Sequence, residues 1–132
     1  MNFIEKLELA AEKNRSWLIV GLDPQEEFLP ETGDIYTRLT DWGKAIIEQT
    51  SGQVCGYKPN IAFYEARGIE GLRSLEATQN YLHEHHPDVL TICDAKRADI
   101  GSTNRGYVTA IFDRLGFDAV TLNPYLGGEA LA

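Results

Sequence analysis

Val89-Leu-Thr-Ile-Cys-Asp-Ala-Lys-Arg-Ala-Asp-Ile-Gly-Ser-Thr103 runs from a short apolar segment directly into Asp94, Lys96, Arg97 and Asp99. The apolar residues predict a buried strand over 89–93, too short for a helix and rich in β-branched side chains. Charged groups crowded at the end of such a strand are costly to bury unless paired, so they point to chemistry.

The same arrangement recurs on both sides of this segment. Trp17 to Leu22 predicts a strand ended by Asp23-Pro24, and Val54 to Tyr57 predicts one that delivers Lys58-Pro59-Asn60 to its end. Ala119 to Leu122 predicts a fourth, closing on Asn123-Pro124. Helical patterns lie between them. Met1 to Arg15 is amphipathic, with Phe3, Ile4, Leu7 and Ala11 on one side. Asp34 is placed to cap a helix that buries Ile35, Leu39, Trp42, Ile46 and Ile47 and stops at Ser51-Gly52. Ile69, Leu72, Leu75 and Leu82 mark a helix closed by Pro87, and another passes through Tyr107, Ile111 and Leu115 to a stop at Gly116.

Alternating strands and helices of this length, joined by right-handed crossovers, predict an α/β fold with an all-parallel sheet covered by helices. An open doubly wound sheet and a closed barrel both satisfy that pattern. Gly21-Leu-Asp-Pro24 lacks the glycine spacing of a dinucleotide loop, and no GxxxxGK[ST] phosphate loop occurs. Polar residues after four successive strands fit a (β/α)8 TIM barrel, whose strand ends converge on one mouth. Such a barrel takes about 250 residues. The 132 residues therefore read as its N-terminal half, 1-132, with about four parallel strands and the C-terminal half missing. Open sheet edges and uncovered Val, Ile and Leu are expected of a half-barrel, which is expected to be inactive by itself.

A formal net charge of -8 opposes nucleic-acid binding and requires local cations to capture any phosphorylated ligand. Cys55 and Cys93 lie in apolar runs without metal-ligand spacing, which predicts reduced, buried thiols and a cytoplasmic setting. No apolar run has the length of a membrane span. His83, His85 and His86 crowd one helix end without a matching strand-end ligand, so they are expected at the surface, with no metal and no cofactor.

At the central segment, the two-residue spacing of Asp94 and Lys96 predicts that both face the barrel mouth while Ala95 points the other way. Asp99 is expected beyond the strand, followed by a Gly101-Ser102 turn and Thr103 at a helix start. Ile100 is the large apolar group of that loop, suited to walling a flat ligand. An ammonium between two carboxylates is favoured in its charged form and fixed in direction, a combination that suits proton delivery to carbon. Asp23 and Lys58 occupy equivalent strand ends and are expected to meet this cluster across one cavity. The competing reading of Asp94, Lys96 and Asp99 is a structural salt-bridge cluster.

Gly21-Leu-Asp-Pro24, Lys58-Pro-Asn-Ile-Ala-Phe-Tyr-Glu65, Asp94-Ala-Lys-Arg-Ala-Asp-Ile-Gly-Ser-Thr103 and Thr121-Leu-Asn-Pro-Tyr-Leu-Gly127, in this order, resemble the orotidine 5'-phosphate decarboxylase family. The likeness is to the N-terminal half of its bacterial branch with the Lys-Pro-Asn-x-Ala-Phe motif. It implies a carboxy-lyase of de novo pyrimidine biosynthesis that converts orotidine 5'-phosphate to uridine 5'-phosphate and carbon dioxide. It also implies a homodimer with composite active sites. By resemblance, Asp23 binds a ribose hydroxyl and Lys58 touches both the ribose and a carboxylate. Asp94 lies close to the substrate carboxylate, and Lys96 is the general acid that protonates C6. Asp99 and Thr103 enter the neighbouring subunit's site, and Ile100 contacts the base. Ala98 stands where relatives often have glycine, a small-for-small change. The family's phosphate-binding glutamine and arginine and its closing loop fall beyond residue 132. The alternatives are a sugar-phosphate decarboxylase or aldolase of the same superfamily, with Asp94 or Glu65 holding a metal or Lys96 forming a Schiff base, and a non-catalytic assembly module.

Overall fold

The computed structural model describes residues 1–131. Helix α1, Phe3–Asn14, opens on a capping box in which the Asn2 side chain accepts from the Glu5 amide and the Glu5 carboxylate accepts from the Asn2 amide. Strand β1, Ile19–Leu22, leads through a 3-10 turn to α2, Ile35–Thr50, whose N-cap Asp34 accepts from the Thr37 amide. Then come β2, Gly56–Pro59, a short α3, Ile61–Glu65, and the long α4, Gly68–His85. Strand β3, Leu90–Arg97, precedes α5, Gly101–Val108, which continues as a π-helical segment, Thr109–Arg114. Strand β4, Ala119–Leu122, is followed by two 3-10 turns.

The four strands form one parallel sheet in the order β1-β2-β3-β4. Its register sets Gly21 beside Lys58, Gly56 beside Leu90 and Cys93 beside Val120, and a further bridge joins Asn60 to Asp94. Since every strand runs the same way, Asp23, Lys58, Asp94 and Thr121 all arrive at one end of the sheet. The opposite end is tied by polar contacts. Lys6 pairs with Asp118 at 2.7 Å, Asp118 accepts from the Thr91 amide, and the Thr91 hydroxyl accepts from Gln79.

Apolar clusters lie between sheet and helices. Leu22, Ile47, Val54, Tyr57, Leu82 and Val89 form one, and Ile61, Tyr64, Leu75, Cys93, Ala95, Ile111 and Phe117 form another. The buried face of α4 differs from the expected one. Leu75 and Leu82 are buried, but Ile69 and Leu72 are 75% and 43% exposed, and Gly71, Ser74, Thr78 and Gln79 take the inner positions. Small and polar residues on this face let α2 approach closely: a Cβ on Gly43 of α2 would already lie 3.2 Å from the Thr78 hydroxyl. Phe3 and Ile4 are likewise exposed, while Ala10 and Ala11 carry the contact of α1 with Cys55. Trp17 and Leu18 are exposed and precede the first paired strand residue, Ile19.

Gly71 marks the tightest corner, where a Cβ would lie 2.0 Å from the Tyr64 carbonyl oxygen. Gly71→Ala is expected to cost about 1–3 kcal/mol by overpacking. The check is the urea unfolding midpoint, and an unshifted midpoint contradicts this packing.

Both cysteines are buried and unpaired, as expected. Burial pushes the Cys93 thiol up to about 11 and raises Cys55 as well. Neutral thiols are poor nucleophiles, so neither is expected to react with a thiol reagent at pH 8 until the protein is unfolded. Rapid labelling of the native protein would contradict this.

Candidate active site

Asp94 is the centre of the strand-end cluster. Its nearly buried carboxylate receives Lys58 Nζ on Oδ2 at 2.7 Å. Lys96 Nζ and the Thr121 hydroxyl both donate to Oδ1, each at 2.7 Å. Three strands therefore contribute to one carboxylate: Lys58 comes from β2, Lys96 from β3 and Thr121 from β4. The hydrogen bond from Lys58, then that from Lys96, holds the Asp94 carboxyl well below the usual carboxylate range, against the opposing effect of burial. Stabilisation from this depressed pKa is fully present above the ordinary aspartate value of about 3.9 and is lost as pH falls through the lower folded value.

The path of β3 differs from the regular alternation that the sequence predicts. Cys93 pairs with Val120 and Arg97 with Leu122, so β3 takes four steps while β4 takes two. Lys96 absorbs the excess with φ +49°, a left-handed conformation uncommon for a residue with a Cβ. Asp94 and Lys96 still meet and Ala95 still points into the core, but a bulge brings this about.

Asp99 lies apart from this cluster within the chain. It forms no ion pair among the described residues; its carboxylate accepts from the Ile100 amide at 2.7 Å, and its own amide donates to Asn104 Oδ1 at 2.9 Å. Within this chain the arrangement is a carboxylate between two ammonium groups, not Lys96 between two carboxylates. The loop explains why. Gly101 and Ser102 are the first residues of α5 instead of a turn before it, so Ile100 stands at the N-cap position and Thr103 in the first helical turn. Ile100 is 70% exposed.

Asp23 is half-buried beyond the end of β1, and its buried Oδ1 has no hydrogen-bond partner among the described residues. Nearby Tyr64 donates to the Leu22 carbonyl, and its phenol is raised chiefly by burial and also by the Asp23 charge. Glu65 pairs with Arg97, whose guanidinium lies 5.6 Å from the Tyr107 ring centre. The histidines have separate contacts: His83 with the Gly116 carbonyl, His85 stacked on Tyr81, and His86 beside Glu48.

Thr121 and Asn104 carry contacts that sequence reasoning did not assign to them. Thr121 lies in one of the quoted motifs, but a period-two reading cannot see a residue whose role arises from a bulge on the adjacent strand. Asn104 joins the Asp99 amide to the Ala130 carbonyl, a contact between two loops distant in sequence.

Residues 16–132 match the family model described as Orotidine 5'-phosphate decarboxylase / HUMPS family. An Orotidine 5'-phosphate decarboxylase of Herpetosiphon aurantiacus is 48% identical over 130 residues, covering 98% of this chain and 48% of the relative. One from Flavobacterium johnsoniae is 46% identical over 123 residues, covering 90% of this chain and 44% of the relative. The solved structure of Leishmania donovani OMP decarboxylase aligns with a TM-score of 0.86 at 34% identity, covering 99% of this chain and 48% of that one. The chain spans about half the length of the curated relatives it matches.

Proposed function

The chain belongs to the orotidine 5'-phosphate decarboxylase / HUMPS family, and from that premise we propose that the family-length protein converts orotidine 5'-phosphate to uridine 5'-phosphate and carbon dioxide. Residues 1-132 are the N-terminal part of a single barrel domain in this reading, and the enzyme serves pyrimidine biosynthesis in the cytoplasm. The observation that carries it is the Asp94 carboxylate fixed between Lys58 and Lys96 at the convergent strand ends.

The chemistry follows from the charges. When the C6–carboxylate bond breaks, carbon dioxide leaves and the electron pair remains on C6 with little delocalisation. A preorganised ammonium beside that carbon stabilises the developing charge, because its orientation is fixed before the reaction begins. Lys96 is that ammonium. It then gives one N–H proton to C6 and regains a proton from solvent. Asp94 holds both lysines in direction and lies close to the substrate carboxylate, while Lys58 also reaches the ribose. The vacant hydrogen-bonding capacity of the buried Asp23 Oδ1 suits a ribose hydroxyl. Asp99, Ile100 and Thr103 act in the neighbouring site of a homodimer. Support for this comes from the exposure of Ile100 and from the absence of an Asp99–Lys96 pair within the chain.

The test is loss of orotidylate absorbance together with formation of uridine 5'-phosphate by the family-length protein. In the same assay Asp23→Ala is expected to raise KM about tenfold through loss of a hydroxyl contact to a charged group. An unchanged KM and unchanged affinity for uridine 5'-phosphate would remove Asp23 from the ribose site.

A further inference from the structure

We propose that Thr121 is a positioning residue of this site, its hydroxyl locking the β3 bulge to the Asp94 carboxylate so that Lys96 is aimed at the reacting carbon. The assignment rests on the decarboxylase reading above.

The hydroxyl is fully engaged. Thr121 Oγ1 accepts from the Ala95 amide at 3.1 Å and the Lys96 amide at 3.0 Å, and it donates to Asp94 Oδ1 at 2.7 Å. An ionised carboxylate can only accept, and two amides occupy the hydroxyl's acceptor positions, so its proton can point only to Asp94. Both amides lie inside the register shift between Cys93 and Arg97. One side chain of β4 thus ties the backbone of the bulge to the central carboxylate.

Lys96 needs such support. Its left-handed backbone is a conformation that persists only where its surroundings hold it. Its side chain is largely exposed, and Asp94 is its ion-pair partner. The direction of the ammonium therefore depends on the backbone at Lys96 and the plane of Asp94, and Thr121 bonds to both. In the proposed reaction Thr121 stands behind Asp94 and need not touch the nucleotide, so its loss alters alignment and leaves affinity largely intact.

Thr121→Val keeps the shape of the side chain and removes the hydroxyl. In the family-length enzyme it is expected to lower kcat about a hundredfold, the scale of a misplacement near 1 Å, with KM within about threefold of wild type. Thr121→Ser, which retains the hydroxyl, is expected to restore kcat to within about fivefold. Equal loss in kcat and KM, absence of rescue by serine, or wild-type kcat in the valine variant would each overturn the assignment. If the valine variant does not fold by circular dichroism, Thr121→Cys takes its place, since its thiol is a weak donor and acceptor of similar size. Lowered kcat at unchanged KM supports the proposal there, and wild-type kcat overturns it. Wild-type enzyme that fails to decarboxylate orotidylate defeats the functional reading instead, so the two failures are distinguishable.

Discussion

Lys96→Ala in the family-length enzyme is expected to lower kcat by more than about a thousandfold, because the local cation and the proton donor vanish together. The structural basis is the 2.7 Å contact of Lys96 with a nearly buried carboxylate that Lys58 and Thr121 also hold. Binding of uridine 5'-phosphate is expected to persist, since neither Asp23 nor Lys58 is altered. Turnover within tenfold of wild type, followed by orotidylate absorbance, would contradict the role given to Lys96.

The second large effect is a recovery. Lys96→Ala and Asp99→Ala enzymes are each expected to be nearly inactive, yet subunit exchange between them is expected to restore activity. If Asp99 crosses the interface, each heterodimer holds one site with both residues intact and one with neither. Random exchange would then return about a quarter of wild-type activity, because half of the dimers are mixed and half of their sites are whole. Verified exchange without recovery would place Asp99 in the site of its own subunit. The geometry already separates Asp99 from Lys96 within one chain, since Asp99 turns to the Ile100 amide and Asn104 holds its backbone.

Parallel alternation was legible in the sequence because short apolar runs and amphipathic segments have different periods, and each strand ended on a polar signal. Asp94, Lys58 and Lys96 could be brought together on that basis, since strand ends in a parallel sheet lie side by side. The sequence did not disclose the bulge. Lys96 has no residue-type signal for a left-handed backbone, and Thr121 bonds to the bulge only when β4 is in place. Ile69 and Leu72 fit a helical stripe as well as Leu75 does. They lie off the face of α4 that carries Gly71, Ser74, Leu75, Thr78, Gln79 and Leu82, and the sequence pattern alone does not show which face packs inward. The short α3 was not read from the sequence: its start depends on the Asn60 side chain accepting from the Ala62 amide just beyond the strand end.

The most direct measurement of the central claim is the product formed from orotidine 5'-phosphate in deuterium oxide by the family-length protein, followed by proton NMR. Proton delivery from an exchanged Lys96 ammonium predicts uridine 5'-phosphate carrying deuterium at C6, formed equally well after treatment with a chelator or borohydride, and absent with Lys96→Ala. Unchanged orotidylate, or turnover abolished by the chelator or by borohydride trapping on Lys96, would contradict it.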